Sequence, residues 1–214
     1  DDPFMESLAE GGYQVGEYAR WMLCDDPRHD IIGSLDEAQA VAETRRRLDA
    51  PKATIAEGAF RAGCLFVRAD VMVKNGNSLK LYEVKSKSWD RDTVFWSKGA
   101  QPQLLAQWEK YLLDVAFQKH VVEAACPGLK VQAHLVVLNK AKIASVNGLS
   151  QMFPVMEKGG QTSVDVRIAT KEELGTDLLE YINVDKDIEL IGRIPFDLPS
   201  GGMGLFSELI EQLA

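Results

Sequence analysis

Cysteine and histidine are scarce, three of each in 214 residues, and neither is clustered. Cys24, Cys64 and Cys126 stand far apart and are odd in number. They fit neither a zinc-ligand spacing nor a disulfide framework, and reduced thiols are expected. His29, His120 and His134 are just as scattered, which points to surface or core roles. Long apolar runs are absent too. No stretch reaches the roughly 18–20 residues of a membrane span, and no basic start, apolar block and small-residue cleavage site marks a secretory signal. The expectation is a cytoplasmic protein with no membrane partner. The first residue is Asp1, not methionine, as in a fragment of a longer protein. Positive charge is in deficit: 24 lysines and arginines face 32 acidic residues, for a formal net charge of −8. That excludes a large sequence-independent phosphate footprint, which needs clustered cations. The dense basic run Arg45-Arg46-Arg47 has a solvated helix face as its default reading. Gly201-Gly202-Met203-Gly204 lacks the strand-then-helix setting of a phosphate loop.

What is present describes a soluble globular chain, 46% hydrophobic and 26% charged, sized for one α/β domain. Gly12 to Leu23 reads as a helix with Val15, Ala19 and Met22 on one side. Ser34 to Leu48 is the clearest helix, with Ser34 as cap and Glu37 three residues on. A short strand is expected at Ala53–Ala56. Two strand-like runs, Cys64–Lys74 and Leu79–Ser86, flank Asn75-Gly76-Asn77 as a hairpin. A long helix from about Pro102 to Ala125 offers Leu105, Trp108, Leu112, Val115 and Val122 to the core. Val131–Asn139 is a buried-type strand, Val164–Ile168 a further strand, and Lys171–Ile182 a further helix. The remaining stretch is loop-rich before a short terminal helix. This order favours an α/β core with a mixed sheet.

Chemistry concentrates on the hairpin. With its turn centred between Gly76 and Asn77, Asp70 lies opposite Glu83 and Arg68 opposite Lys85. These four side chains then share one face, while Leu65, Val67, Ala69, Val71 and Val73 occupy the other with Tyr82 and Val84. Two facing carboxylates repel. Lys85 relieves this only in part, and a bound cation would remove the conflict. A turn at Asn75-Gly76 would instead pair Asp70 with Leu81, and both registers stay open at this stage.

The ordered segments GYQVGEYAR, TIAEGAF, LFVRADVMVKNG, LYEVKSKS and DVAFQ resemble the PD-(D/E)XK nucleases, in particular their RecB-like and Cas4-like branch and the DUF2779 domain family. The carrying motif is Arg68-Ala-Asp70 followed by Glu83-Val-Lys85-Ser, with Gln118 on the next helix. The likeness covers roughly residues 11–140, leaving about 141–214 as a C-terminal extension of a single nuclease-like domain. It implies a restriction-endonuclease-like core, a central mixed sheet flanked by helices. It also implies a DNA-cleaving hydrolase using Mg²⁺ or Mn²⁺, acting on single-stranded DNA or DNA with free ends. Asp70 and Glu83 would bind the metal with the Val84 carbonyl, supplemented by Glu57. Lys85 would orient the attacking water, and Gln118 would position the base or the strand. Arg68, Ser86 and Lys87 would contact nucleic acid, and Asp114, one turn before Gln118, is a weaker candidate. The chain departs from the pattern at Ala69, where the family name has proline. It departs again on the first helix, which offers Gly16 with Gln14 and Glu17 nearby where a histidine is common. The cysteines lack the Cas4-like iron–sulfur spacing, so no cluster is expected.

Two rivals remain: a catalytically idle member of the fold that binds nucleic acid or a protein, and an unrelated α/β interaction domain whose acidic charge suits a protein partner. Trp89 and Trp96 could stack on unpaired bases, while Trp108 suits the core.

Overall fold

A two-residue turn sets the register of the sheet. Gly76 takes a positive φ of 58°, as the first position of a tight hairpin turn requires. Asn75 therefore pairs with Ser78, and the ladder runs back to Val71 opposite Tyr82. This is the register with the turn centred between Gly76 and Asn77. In the computed structural model, which describes residues 12–100, 102–158 and 160–213, the hairpin strands are β2 (Leu65–Asn75) and β3 (Ser78–Trp89). Before them, β1 (Lys52–Ala62) pairs with β2 from Lys52↔Asn75 to Ala62↔Leu65. Helix α3 (Ala106–Ala125) crosses over to β4 (Lys130–Asn139), which lies parallel to β3, as a parallel neighbour requires. Strand β7 (Leu179–Asn183) closes the far edge antiparallel to β4. The result is a mixed five-stranded sheet ordered β1-β2-β3-β4-β7 and flanked by helices.

Both faces are covered, which makes the central strands near-continuous in hydrophobicity. On one face, Val15, Tyr18 and Ala19 of α1 (Gly12–Leu23) pack on Val71, Tyr82, Val136 and Leu138. Leu149, Phe153, Leu174 and Leu178, all beyond residue 140, join them. On the other, Val121 and Val122 of α3 meet Ile55, Met72, Leu79 and Leu81, beside Ala40 and Leu48 of α2 (Glu37–Leu48). The first half of α3 (Trp108, Leu112, Val115) packs on Ala133, Leu135 and Val137. Residues past 140 thus complete both the sheet and the core. Among the described residues no helix is long and apolar enough to cross a membrane.

The structure departs from the sequence expectations at several points, each with a local cause. Helix α2 is capped by Asp36, whose carboxylate accepts the Gln39 N–H at 2.8 Å, and not by Ser34. This leaves Glu37 in the first turn, favourable for the helix dipole. Strand β1 is far longer than Ala53–Ala56, because β2 pairs along its whole length and outweighs the weak strand propensity of Glu57 and Gly58. Helix α3 begins at Ala106 and not near Pro102, since Leu104 bridges Trp96 and the Leu105 N–H donates to the Phe95 carbonyl. The strand expected to reach Ile168 ends at Val164, as the second arm of a hairpin, β5 (Val155–Lys158) and β6 (Gln161–Val164). The helix expected over Lys171–Ile182 is a single 3-10 turn, Lys171–Leu174. Gly175, with a φ of 64°, stops it, and the following residues pair with β4 as β7. The loop-rich stretch after β7 holds a helix (Asp185–Ile191), a small hairpin (Pro195–Asp197 with Met203–Leu205) and the terminal helix (Phe206–Leu213).

Phe153 is fully buried beside Tyr18, with ring centroids 6.2 Å apart and edge-on. Phe153→Ala should cost about 3–5 kcal/mol in one cooperative urea transition seen alike by tryptophan fluorescence and circular dichroism. Two separated transitions would show that the region beyond residue 140 folds on its own.

Candidate functional site

The hairpin ladder stops one pair short of the charged residues. Strand β2 leaves β3 after Val71↔Tyr82 and continues with β1 alone, so the two strands fork at Asp70 and Glu83. A fork strands backbone donors that need partners. Asp70 supplies one: its Oδ2 accepts the Val84 N–H at 2.7 Å, so a side chain replaces the missing rung. On its other edge β3 is irregular as well. Pairing with β4 jumps from Val84↔Val136 to Ser88↔Leu138, and the bulge carries Lys85, Ser86 and Lys87. Bulges re-aim side chains.

Glu83 is the hub. It is 4% exposed, its Oε1 accepts from Lys85 Nζ at 2.5 Å, and its Oε2 accepts from Gln118 Nε2 at 2.7 Å. Lys85 Nζ donates again to Asp114 Oδ2 at 2.7 Å, and Gln118 Nε2 to Asp114 Oδ1 at 3.2 Å. Asp114 and Gln118 lie one helical turn apart on α3, which explains why both reach the same strand. Asp70, on the facing arm of the fork, adds its negative charge to the field at Glu83.

Three carboxyl groups around one ammonium, Glu83 buried and Asp70 and Asp114 half-buried, leave an excess of negative charge. Burial, and then the neighbouring Asp70, push the Glu83 carboxyl up to about 8. Asp70 is raised by burial in spite of its bond from Val84. Asp114 is also desolvated, but its bonds from Lys85 and Gln118 outweigh that and hold it low. Burial likewise works against the Lys85 ammonium, yet Glu83 and Asp114 more than compensate and the lysine stays charged. Burial thus favours the protonated form of both Asp70 and Glu83.

Glu57 stands opposite Asp70 in the β1–β2 register, with a φ of 55° in mid-strand, and the paired positions pass from Ala56↔Val71 to Gly58↔Ala69 around it. A non-glycine residue held there stores on the order of 1–3 kcal/mol of strain. The kink also breaks the expected alternation. Val67 and Ala69 pack on the α2 and α3 side, while Val71 and Tyr82 face α1. Burial, and then Asp70, raise the Glu57 carboxyl. Glu57 and Asp70 open onto a cleft of about 750 Å³ that Gly16, Glu17 and Arg20 of α1 line with Val155, Glu157 and Thr162 of the β5–β6 hairpin. Arg20 Nε donates to Glu17 at 3.0 Å. Gln14 is turned to the Phe153 carbonyl instead.

Some expected contacts fall elsewhere. Arg68 does not face Lys85: beyond the fork it pairs with β1, and its guanidinium donates to the carbonyls of Ile32 and Ser34. Ser86 lies beside Gly12 on the α1 face. Lys87 donates to the Gln107 carbonyl at 2.7 Å. Trp108 is buried, and Trp96 Nε1 is bonded to Asp187. His134 packs on Tyr82, and His29 meets Asp26 at the surface. The bulge had no signature in the sequence. The full membership of Asp114 did have one, its i, i+4 spacing to Gln118.

The oxygen donors Asp70, Glu83 and Glu57 match the hard-cation preference of Mg²⁺ and Mn²⁺. Two observations fit such an ion: the two carboxyls that burial raises at one fork, Asp70 and Glu83, and the Gln118 Oε1, buried with no partner among the described residues. No group of three or more histidine, cysteine or acidic side chains is arranged as a ready cage among the described residues. Two carboxylates with waters satisfy Mg²⁺ without one. No family model, curated protein or solved structure matches the chain.

The raised carboxyls fix the sign of a pH effect. The folded protein retains protons that the unfolded chain has released, so stability is fully present below the ordinary glutamate value of 4.5 and is lost as pH climbs through about 8. The melting temperature of EDTA-treated protein should fall across that window. Glu83→Gln should flatten the fall, as should Mn²⁺. A flat profile in the EDTA-treated wild type would show that the pair is not desolvated.

Proposed function

We propose that this chain is a Mg²⁺- or Mn²⁺-dependent nuclease that hydrolyses DNA phosphodiester bonds at the Asp70–Glu83–Lys85 fork. The observation that carries the reading is the placement of Asp70 and Glu83 where the strands fork, with the Val84 N–H bonded to Asp70 and Lys85 Nζ 2.5 Å from Glu83. Asp70 and Glu83 would hold the ion, with Glu57 supplementing them. When bound, the ion supplies a nucleophilic water near neutral pH and neutralises charge on the phosphate. The PD-(D/E)XK resemblance supports the same roles.

The chain's own groups have distinct tasks. Asp70 keeps the fork closed at its base through Val84. Gln118 fixes one oxygen of Glu83 and so sets the orientation of the other. Asp114 pins the Lys85 ammonium beside Glu83, where it stays charged and meets negative charge developing on a phosphate oxygen. Lys85 should therefore act on rate more than on metal affinity.

The test separates these roles. Asp70→Asn keeps an acceptor for the Val84 N–H but removes the charge, and should abolish Mn²⁺ binding measured by calorimetry. Lys85→Ala should still bind Mn²⁺ while losing about 10²–10⁴-fold in cleavage of single-stranded or frayed-end DNA. Equal activity in wild type and Lys85→Ala removes Lys85 from the mechanism. Metal binding without cleavage in either protein favours an idle member of the fold.

A further inference from the structure

On the α3 side of the fork, three ammonium groups crowd two aromatic rings. Lys87 Nζ lies 4.6 Å from the centroid of Trp108 and 5.3 Å from that of Tyr111. Lys110 Nζ is 4.8 Å from Tyr111, and Lys85 Nζ 5.9 Å from the same ring. Lys85 is neutralised by Glu83 and Asp114. Lys87 and Lys110 are not: among the described residues neither forms an ion pair. Lys87 is half-buried and anchored on the Gln107 carbonyl, so its charge is fixed in place. Ring quadrupoles offset only about 0.5–1 kcal/mol for each exposed cation. Two uncompensated, neighbouring cations in a chain of net charge −8 call for an anion.

The opposite side of the fork has the reverse character. Its cleft presents Glu17, Glu57, Asp70 and Glu157, and Arg20, its one lining cation among the described residues, is paired with Glu17. A phosphate chain is repelled there and attracted at the lysines.

We propose that Lys87 and Lys110 form a phosphodiester-binding subsite on the α3 side of the fork, holding one nucleic-acid strand so that it approaches the carboxylates from that side and not through the α1 cleft. The assignment of its phosphate as a neighbour of the scissile one rests on the nuclease reading. The occupant is a single strand, because two cations cannot supply the six to ten or so phosphate contacts that proteins with steep salt dependence make on duplex DNA.

A labelled single-stranded oligodeoxynucleotide, followed by fluorescence anisotropy in Ca²⁺ across a salt series, tests this. The double variant Lys87→Gln/Lys110→Gln keeps most of the aliphatic stems on the rings and should bind at least tenfold more weakly. Its slope of log affinity against log salt should be shallower by about 1.4, since each single-strand phosphate contact contributes about 0.7. Lys87→Arg/Lys110→Arg should bind within about threefold of wild type, which separates lost charge from lost folding. Arg45→Ala/Arg46→Ala should change neither quantity. Unchanged affinity and slope in the glutamine variant overturn the subsite, as does a wild type that does not bind the oligonucleotide, or a salt slope carried by Arg45 and Arg46. Cleavage in Mn²⁺ by both wild type and a glutamine variant of unaltered affinity leaves the nuclease reading standing while this subsite falls. Lysine-dependent binding with no cleavage in any protein does the reverse.

Discussion

The carboxylates buried at the point where β2 parts from β3 outnumber the cations there, and the local structure is arranged around that imbalance. Two like charges about 4 Å apart in a partly screened interior repel by roughly 4 kcal/mol, too much for a marginally stable domain to carry without compensation. Three devices compensate. The Val84 N–H bonds Asp70, and Lys85 bridges Glu83 and Asp114. Gln118 also donates to both of the latter. None removes the excess outright, and burial pushes the Asp70 and Glu83 carboxyls toward their protonated forms. On the nuclease reading a hard divalent cation would take the place of that protonation.

The topology explains how so many groups meet at one rung. A parallel β3–β4 pair requires a crossover, and α3 provides it while lying over one face. This brings Asp114 and Gln118 against Glu83. Helix α1 covers the other face and lines the cleft that reaches Asp70 and Glu57. A continuous sheet would separate these two sets. The fork, together with the left-handed Glu57 beside it, lets Asp70 take part in both. Strain at Glu57 is thus a consequence of opening the sheet at the site, and tight pairing of β1 with β2 on either side sustains it.

Local chemistry was legible in the sequence, and long-range pairing was not. Asn75-Gly76-Asn77 marked the hairpin but left two registers open, and the positive φ of Gly76 at the first turn position decides between them. The common face of Asp70, Glu83 and Lys85 was accessible from strand alternation once the register was assumed, whereas Gln118 came only from the resemblance. Arg68 broke the same alternation rule, because the kink at Glu57 lies in another strand and leaves no mark on β2. The bulge at Lys85–Lys87 depends on where β4 settles against β3. Leu179–Ile182 carries a pattern that serves a helix or a strand, and the open edge of β4 decides it. The β-character of residues 52–62 was masked by Glu57-Gly58, two residues of weak strand propensity.

Net acidity and a polyanionic substrate are compatible if binding is ordered. On the nuclease reading, a strand that meets the metal-free fork faces Asp70 and Glu57 across the cleft and Glu83 within it, with Lys85 already committed to two carboxylates. Among the described residues near the fork, Lys87 and Lys110 offer net attraction, and two cations give weak, salt-sensitive association. A divalent cation held by Asp70 and Glu83 would raise the local charge by at least one unit over a proton and weaken the repulsion at the rung. On this reading strand binding would depend on metal as well as on the lysines. A basic protein of the same fold would lack that dependence, because its surface would hold the strand with the site empty. On that reading the overall charge of −8 would limit sequence-independent attraction and leave it to the lysines on the α3 side of the fork.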